Sequence, residues 1–130
     1  MKLTHILKDA FTEDSPEIIG PHRIQMRACP GKRLVLNCKA YANCEEDLTL
    51  IYWLVNGSFP ETAYTNGRVA ETEESTLDGG AILQRSLVLK NVTPEDLKST
   101  FTCVVTNPAG TAHKYVTLKP ARSKFRAHRA

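Results

Sequence analysis

The chain has 130 residues, 42% of them hydrophobic, with a formal net charge of +3. That is apolar material for one domain around one core, and no run is long and apolar enough to form a membrane span. The charge is uneven: Lys119, Arg122, Lys124, Arg126 and Arg129 lie in the last 12 residues with no acid, leaving 12 bases against 14 acids elsewhere. A near-neutral body with a basic tail argues against a nucleic-acid binder. The tail reads as a solvated end, with weak binding to polyanions such as heparin as the alternative.

In chain order, residues 1–21 mix acids with Pro16, Gly20 and Pro21 and read as a flexible N-terminal arm. Its small apolar cluster is broken by His5 and Lys8, well short of a signal-peptide core, so an exported protein whose signal has been removed is the expectation. Residues 22–119 follow as the folded domain and 120–130 as the basic tail. Short alternating runs separated by turn residues give an all-β pattern without a competing helical period. "RLVLNCK" turns Leu34, Leu36 and Cys38 to one face; "SLVLKNV" turns Leu87, Leu89 and Val92 inward; "FTCVV" does the same for Phe101, Cys103 and Val105. "NPAG", Asn107 to Gly110, is a turn, and "TAHKYVTLK" is the last strand.

The cysteines set the architecture. Cys38 and Cys103 both occupy inward strand positions, and Trp53 lies on the strand after the first. Two packed sheets joined by a disulfide with an indole against it have this spacing, which predicts an immunoglobulin-like two-sheet β-sandwich with Greek-key connections. Two residues before Cys103, where many such domains have Tyr, stands Phe101, which keeps the ring and loses the hydroxyl.

No catalytic constellation is visible. His5, His22, His113 and His128 lie mostly in tails and turns, without a nucleophile or carboxylate at dyad spacing. The cysteines and histidines make no zinc pattern, and Gly79-Gly80 is a loop without the basic residue or helix of a phosphate cradle. No cofactor, metal or enzymatic activity is expected.

"LTLIYWLVNGSF", Leu48 to Phe59, raises a different possibility. With Trp53 inward, alternation sends Thr49, Ile51 and Val55 inward and Leu48, Leu50, Tyr52 and Leu54 outward, so both faces are apolar. The neighbouring outward positions are Thr102, Val104 and Thr106, then His113, Tyr115 and Thr117. Leu48, Leu50, Tyr52, Leu54, Val104 and Tyr115, with Phe59 just past the strand, make an apolar and aromatic surface. Either the N-terminal arm or a second copy covers it, or it binds a protein partner through aromatic anchors.

"IYWLVNGSF" closely resembles the corresponding strand of interleukin-18-binding proteins. "SPEII", "GKRLVLNCK", "ETAYTNGRVAE" and "VTPEDLKSTFTCVVTNP" resemble the third immunoglobulin domain of the type II interleukin-1 receptor. Together these motifs, over residues 15 to 118, look like a cytokine-binding domain of the interleukin-1 receptor family. The resemblance implies a secreted decoy that binds an interleukin-1-family cytokine, interleukin-18 first and interleukin-1β second, and blocks its receptor-binding surface. It implies Tyr52 and Phe59 as anchors and Glu61 as a polar partner; where the family places another aromatic, this chain has Leu48. An isolated receptor domain and a self-associating adhesive domain are the alternatives. Glu61, Glu71, Glu73 and Glu74 could also steer a basic ligand or simply form a solvated edge.

Asn56-Gly57-Ser58 and Asn91-Val92-Thr93 match the N-glycosylation pattern at the starts of loops. Cys29 and Cys44 flank the Leu34–Cys38 strand, whose five residues separate its ends by about 17 Å, beyond the roughly 7 Å a disulfide spans. Free thiols, a strained internal bond and a disulfide-linked homodimer all remain open. The upstream cysteine that pairs in interleukin-18-binding proteins is missing here.

Overall fold

The computed structural model describes residues 15–42 and 48–121. Among these residues eight strands form two sheets: β1 (Arg23–Ala28), β2 (Leu34–Tyr41), β3 (Leu50–Val55), β4 (Val69–Glu71), β5 (Ser75–Leu77), β6 (Ile82–Leu89), β7 (Thr100–Asn107) and β8 (Gly110–Pro120). One sheet has the order β1-β8-β7-β3, the other β2-β6-β4, with β5 also on β6. β1 runs parallel to β8 and the remaining pairs are antiparallel. A single helical turn, α1 (Pro60–Ala63), follows β3. This is the immunoglobulin-like sandwich that the cysteine and tryptophan spacing predicts.

The alternating residues meet between the sheets. Leu36, Cys38 and Ala40 of β2 and Leu83, Leu87 and Leu89 of β6 are buried against Ile51, Trp53 and Val55 of β3 and Phe101, Cys103 and Val105 of β7. Cys38 and Cys103 are joined, with Cα atoms 6.4 Å apart. The bridge closes a loop of separation 65, and such a loop limits the unfolded chain enough to add about 4 kcal/mol to stability. Phe101 is fully buried, so its missing hydroxyl leaves no polar atom to satisfy there.

At its N-terminal side the fold begins earlier than residue 22. Glu17 and Ile19 exchange hydrogen bonds with β2, Ile19 N–H to Lys39 O at 2.8 Å and Tyr41 N–H to Glu17 O at 3.0 Å, and Ile18 is in the core. The sequence around Ile18 shows too few periodic residues to reveal a strand, because its register comes from β2. Residues 15–19 therefore attach to the edge of β2 and not to the outer face of β3. Cys44 and residues 122–130 of the basic tail lie outside the described residues.

A second fastening joins the entry to β4 and the 3-10 turn Pro94–Lys98. Asp96 is completely buried, receives two hydrogen bonds from Arg68 at 2.8 and 3.0 Å, and accepts the Thr93 N–H at 2.8 Å. Arg68 also donates to Asn91 O at 2.7 Å and lies over the Tyr64 ring. Burial alone would raise the Asp96 pKa, but the Arg68 guanidinium and the Thr93 amide outweigh it and hold the carboxyl below the ordinary aspartate value. A depressed carboxyl contributes stability above its unfolded pKa, and that contribution is lost as pH falls through the folded value. Asp96→Ala should lower stability by about 3–5 kcal/mol, because it leaves a guanidinium half-enclosed and unpaired. Denaturant melts of the wild type should weaken with acid, and Asp96→Asn should lack that part of the dependence; matching pH profiles would refute the assignment.

Candidate functional site

Among the described residues β3 is an edge strand, with β7 on one side and no strand on the other. Its inward residues Ile51, Trp53 and Val55 also point their unpaired backbone groups toward that open edge, and the opposite sheet supplies partners. Trp53 N–H donates to Glu71 Oε2 at 2.6 Å, and Arg85 Nη1 donates to Ile51 O at 3.1 Å. The Trp53 indole N–H reaches Arg85 O at 3.0 Å, and Arg85 Nε lies 3.6 Å from Glu71 Oε2. Such capping prevents an edge from pairing with another chain, and here it also holds β3 against the sandwich.

Both residues occupy inward positions of their strands. Arg85 shares the parity of Leu83, Leu87 and Leu89 on β6, and Glu71 that of Val69 on β4. Between β4 and β5, three residues, 72–74, face two on β6, 85–86, a bulge beside which Arg85 Nε donates to Thr72 O at 2.8 Å. No sequence motif singles out Arg85, and Glu71 is expected either to steer a basic ligand or to form a solvated edge. The structure gives Glu71 a role within the fold: its side chain is largely enclosed and accepts the Trp53 N–H. A charged residue breaking an apolar parity, as Arg85 does in "ILQRSLVL", is the signal that marks such a clamp.

The outer face of β3 follows from the inner one. Leu48 is 51% exposed just before the strand, Leu50 57% and Phe59 48%, while Tyr52 and Leu54 are half-buried. A two-residue turn places Phe59. Asn56 and Gly57 both have positive φ (50° and 86°), and Val55 and Ser58 exchange hydrogen bonds at 2.8 and 3.0 Å, a geometry that Asn-Gly adopts readily. The Asn56 side chain ties the turn to β7, its Nδ2 donating to Ser99 Oγ at 3.2 Å and its Oδ1 accepting from Thr100 N–H at 3.0 Å. Asn56 and Asn91 are both exposed, but the side-chain nitrogen of the Asn56 sequon is engaged with Ser99. As a result Phe59 folds back over the strand, its ring 5.8 Å from that of Tyr52 at a tilt of 48°.

Across the sheet, Leu54, Thr102, Tyr115 and Arg23 form one row, and Tyr52, Val104 and His113 the next. Val104 does not join the contact surface: flanked by Tyr52 and His113 it is only 4% exposed, so its outward direction gives no accessible area. Tyr115 lies two strands from β3 and is already engaged, with His113 stacked on it at 5.9 Å and Arg23 over its ring at 4.6 Å. Glu61 faces elsewhere too. It lines a cleft with Tyr64, Thr65, Glu71 and Arg85 beside the open edge of β3. The structure therefore groups Leu50, Tyr52, Leu54 and Phe59, with Leu48 at the strand entry, and sets Tyr115 and Glu61 at the margins. Cys29 is an exposed free thiol just after β1. Among the described residues no group of His, Cys, Asp and Glu could hold a metal ion, and no helix is long and apolar enough to cross a membrane.

Burial is the main cause that raises the Glu71 pKa; the Trp53 amide and Arg85 pull it back, and Glu61 adds to the rise. A raised carboxyl stabilises the fold below its unfolded pKa, and that advantage is lost as pH rises from the ordinary value of 4.5 through the folded one. Glu71→Gln should flatten this decline. Glu71→Ala should lower stability by about 1–3 kcal/mol by stripping the buried Trp53 amide of its acceptor, and amide exchange at Trp53 should accelerate. Unchanged exchange there would mean that the clamp does not hold β3.

The family model described as Yaba-Like Disease Virus IL18BP matches residues 23–120. Interleukin-1 receptor type 2 of Mus musculus is 33% identical over 92% of this chain and 30% of its own length, and that of Homo sapiens is 33% identical over the same shares. Human interleukin-18 receptor accessory protein is 31% identical over 85% of this chain and 18% of its own length. The chain thus spans about a third or less of these relatives. Among solved structures, Down syndrome cell adhesion molecule is similar with a TM-score of 0.60 and 18% identity over 85% of this chain and 13% of its own. A titin fragment of three immunoglobulin domains has a TM-score of 0.56 and 16% identity over 82% of this chain and 32% of its own. These two speak to the fold alone.

Proposed function

The chain belongs to the Yaba-Like Disease Virus IL18BP-like family, and from that premise we propose that it binds an interleukin-1-family cytokine through the outer face of β3. Membership of an immunoglobulin-domain family puts it among binding modules and not enzymes. The observation that carries the reading is the exposed apolar surface of Leu48, Leu50 and Phe59 with the Tyr52 ring beside it. A lone domain leaves such a surface to water at a cost, and aromatic anchors ringed by aliphatic contacts are the make-up of an interface centre. Interleukin-18 is the lead ligand, with interleukin-1β second, and the domain acts as a secreted decoy by occupying the surface that the cytokine's signalling receptor needs. Glu61 and Tyr115 then belong to the polar rim, where charge steers encounter more than it fixes affinity.

A disulfide-linked pair of chains is the second reading, favoured by the exposed thiol of Cys29. Two linked sites would gain avidity on clustered ligand.

Titration against interleukin-18 and interleukin-1β side by side tests the proposal. Tyr52→Ala and Phe59→Ala should each weaken binding by at least about 2 kcal/mol, as truncated hot-spot aromatics do, while melting as the wild type does. Losses below about 0.5 kcal/mol in both would move the site off this face.

A further inference from the structure

The net charge of +3 conceals a segregation along the chain. Residues 18–44 and 97–130 hold 12 Lys and Arg and no Asp or Glu, whereas residues 45–96 hold 10 Asp and Glu and 3 Lys and Arg. Folding carries this into space, because the acid-free stretches supply β1 and β8, which are neighbours at one edge of the four-stranded sheet. On its outer face the parallel register sets Arg23 beside Tyr115, Gln25 beside Thr117 and Arg27 beside Lys119. Arg23 and Arg27 are exposed and Lys119 half-exposed, and among the described residues none of the three is ion-paired. Arg23, Ile24, Gln25, Tyr115 and Thr117 line an open groove there. The two cationic rungs are four residues apart, about 13 Å along the strands. No outward position of β3 or β7 carries a carboxylate, while Glu71, Glu73, Glu74 and Asp78 cluster around β4 and β5 in the other sheet. Beyond the rungs Ala121 N–H donates to Ala28 O at 3.0 Å, which starts the basic tail beside Arg27.

We propose that the outer face of β1 and β8 is a docking surface for a sulfated polysaccharide. Spaced cations with an amide and hydroxyls between them match a chain on which sulfates and carboxylates alternate with hydroxyls. A lipid surface needs large apolar side chains projecting beside the cations; here the outward positions between the rungs are Gln25 and Thr117, and Ile24, which also lines the groove, is packed against the core. Single-stranded nucleic acid needs an open aromatic face, and the Tyr115 ring is covered by Arg23 and His113. Because β3 is at the opposite edge, three strand spacings or about 14 Å from β1, the glycan leaves the Tyr52 and Phe59 anchors free and meets the proposed protein interface only at its Tyr115 rim.

The test is binding of the full chain to a heparin oligosaccharide over a range of salt, with a joint Arg23→Gln, Arg27→Gln, Lys119→Gln variant. A charge-matched control carries Lys39→Gln, Lys90→Gln and Lys98→Gln on other elements. The face variant should bind at least about tenfold more weakly, with the slope of log Kd against log salt reduced by about two to three, as the loss of three charge contacts to a polyanion requires. The control should keep the wild-type slope, and a chain ending at Ala121 should still bind heparin and still respond to the face substitutions. No binding by the full chain, equal weakening in the control, or loss of all binding with the tail would overturn the proposal. Equal affinity for phosphatidylserine vesicles would overturn it in favour of a membrane surface.

Discussion

Trp53 faces inward, and much else follows from that. Its ring is fully buried in the core that the Cys38–Cys103 bridge ties together, its indole N–H is held by Arg85 O and its backbone N–H by Glu71. A strand cannot turn one residue without turning all of them. With Trp53 fixed by three kinds of contact, Leu50, Tyr52 and Leu54 must face out, and the chain must leave Val55 where the Asn56-Gly57 turn can return Phe59 onto the Tyr52 ring. The exposed apolar face is thus a consequence of the core and not a local accident.

The clamp from the opposite sheet explains how an edge strand can carry such a face. An apolar edge strand with bare amides is a template for indiscriminate pairing. Glu71 takes the Trp53 N–H, Arg85 the Ile51 carbonyl, and the turn both groups of Val55. With these edge groups engaged, the side-chain surface is what β3 chiefly offers a partner. The clamp uses charged groups taken largely out of water, a costly arrangement compensated by hydrogen bonds to backbone that would otherwise lack partners.

The fold was legible because its signals are local and repeated. Leu36, Cys38, Leu87, Leu89, Phe101 and Cys103 alternate as buried strand residues must, and the positions of Trp53 and the two cysteines select the sandwich. The outward set on β3 was legible for the same reason. Val104 was misjudged because parity gives a direction and not an area: flanking side chains on adjacent strands decide what a short branched residue exposes. Ile18 was missed because its strand consists of one bridge whose register is dictated by β2, and Glu71 and Arg85 because charge in an edge loop or strand usually means solvent. The pairing of β1 with β8, and with it the alignment of Arg23 and Arg27 with Lys119, depends on contacts nearly a hundred residues apart that no local pattern encodes.

The central claim is that the outer face of β3 meets the cytokine. Hydroxyl-radical footprinting of side chains with and without interleukin-18 tests it most directly, since Tyr41 and Leu77 on the other sheet are exposed apolar residues that serve as internal references. Protection of Leu48, Leu50, Tyr52 and Phe59, with Tyr41 and Leu77 unchanged, is the predicted result. Binding that protects Tyr41 and Leu77 and leaves Tyr52 and Phe59 open would contradict it.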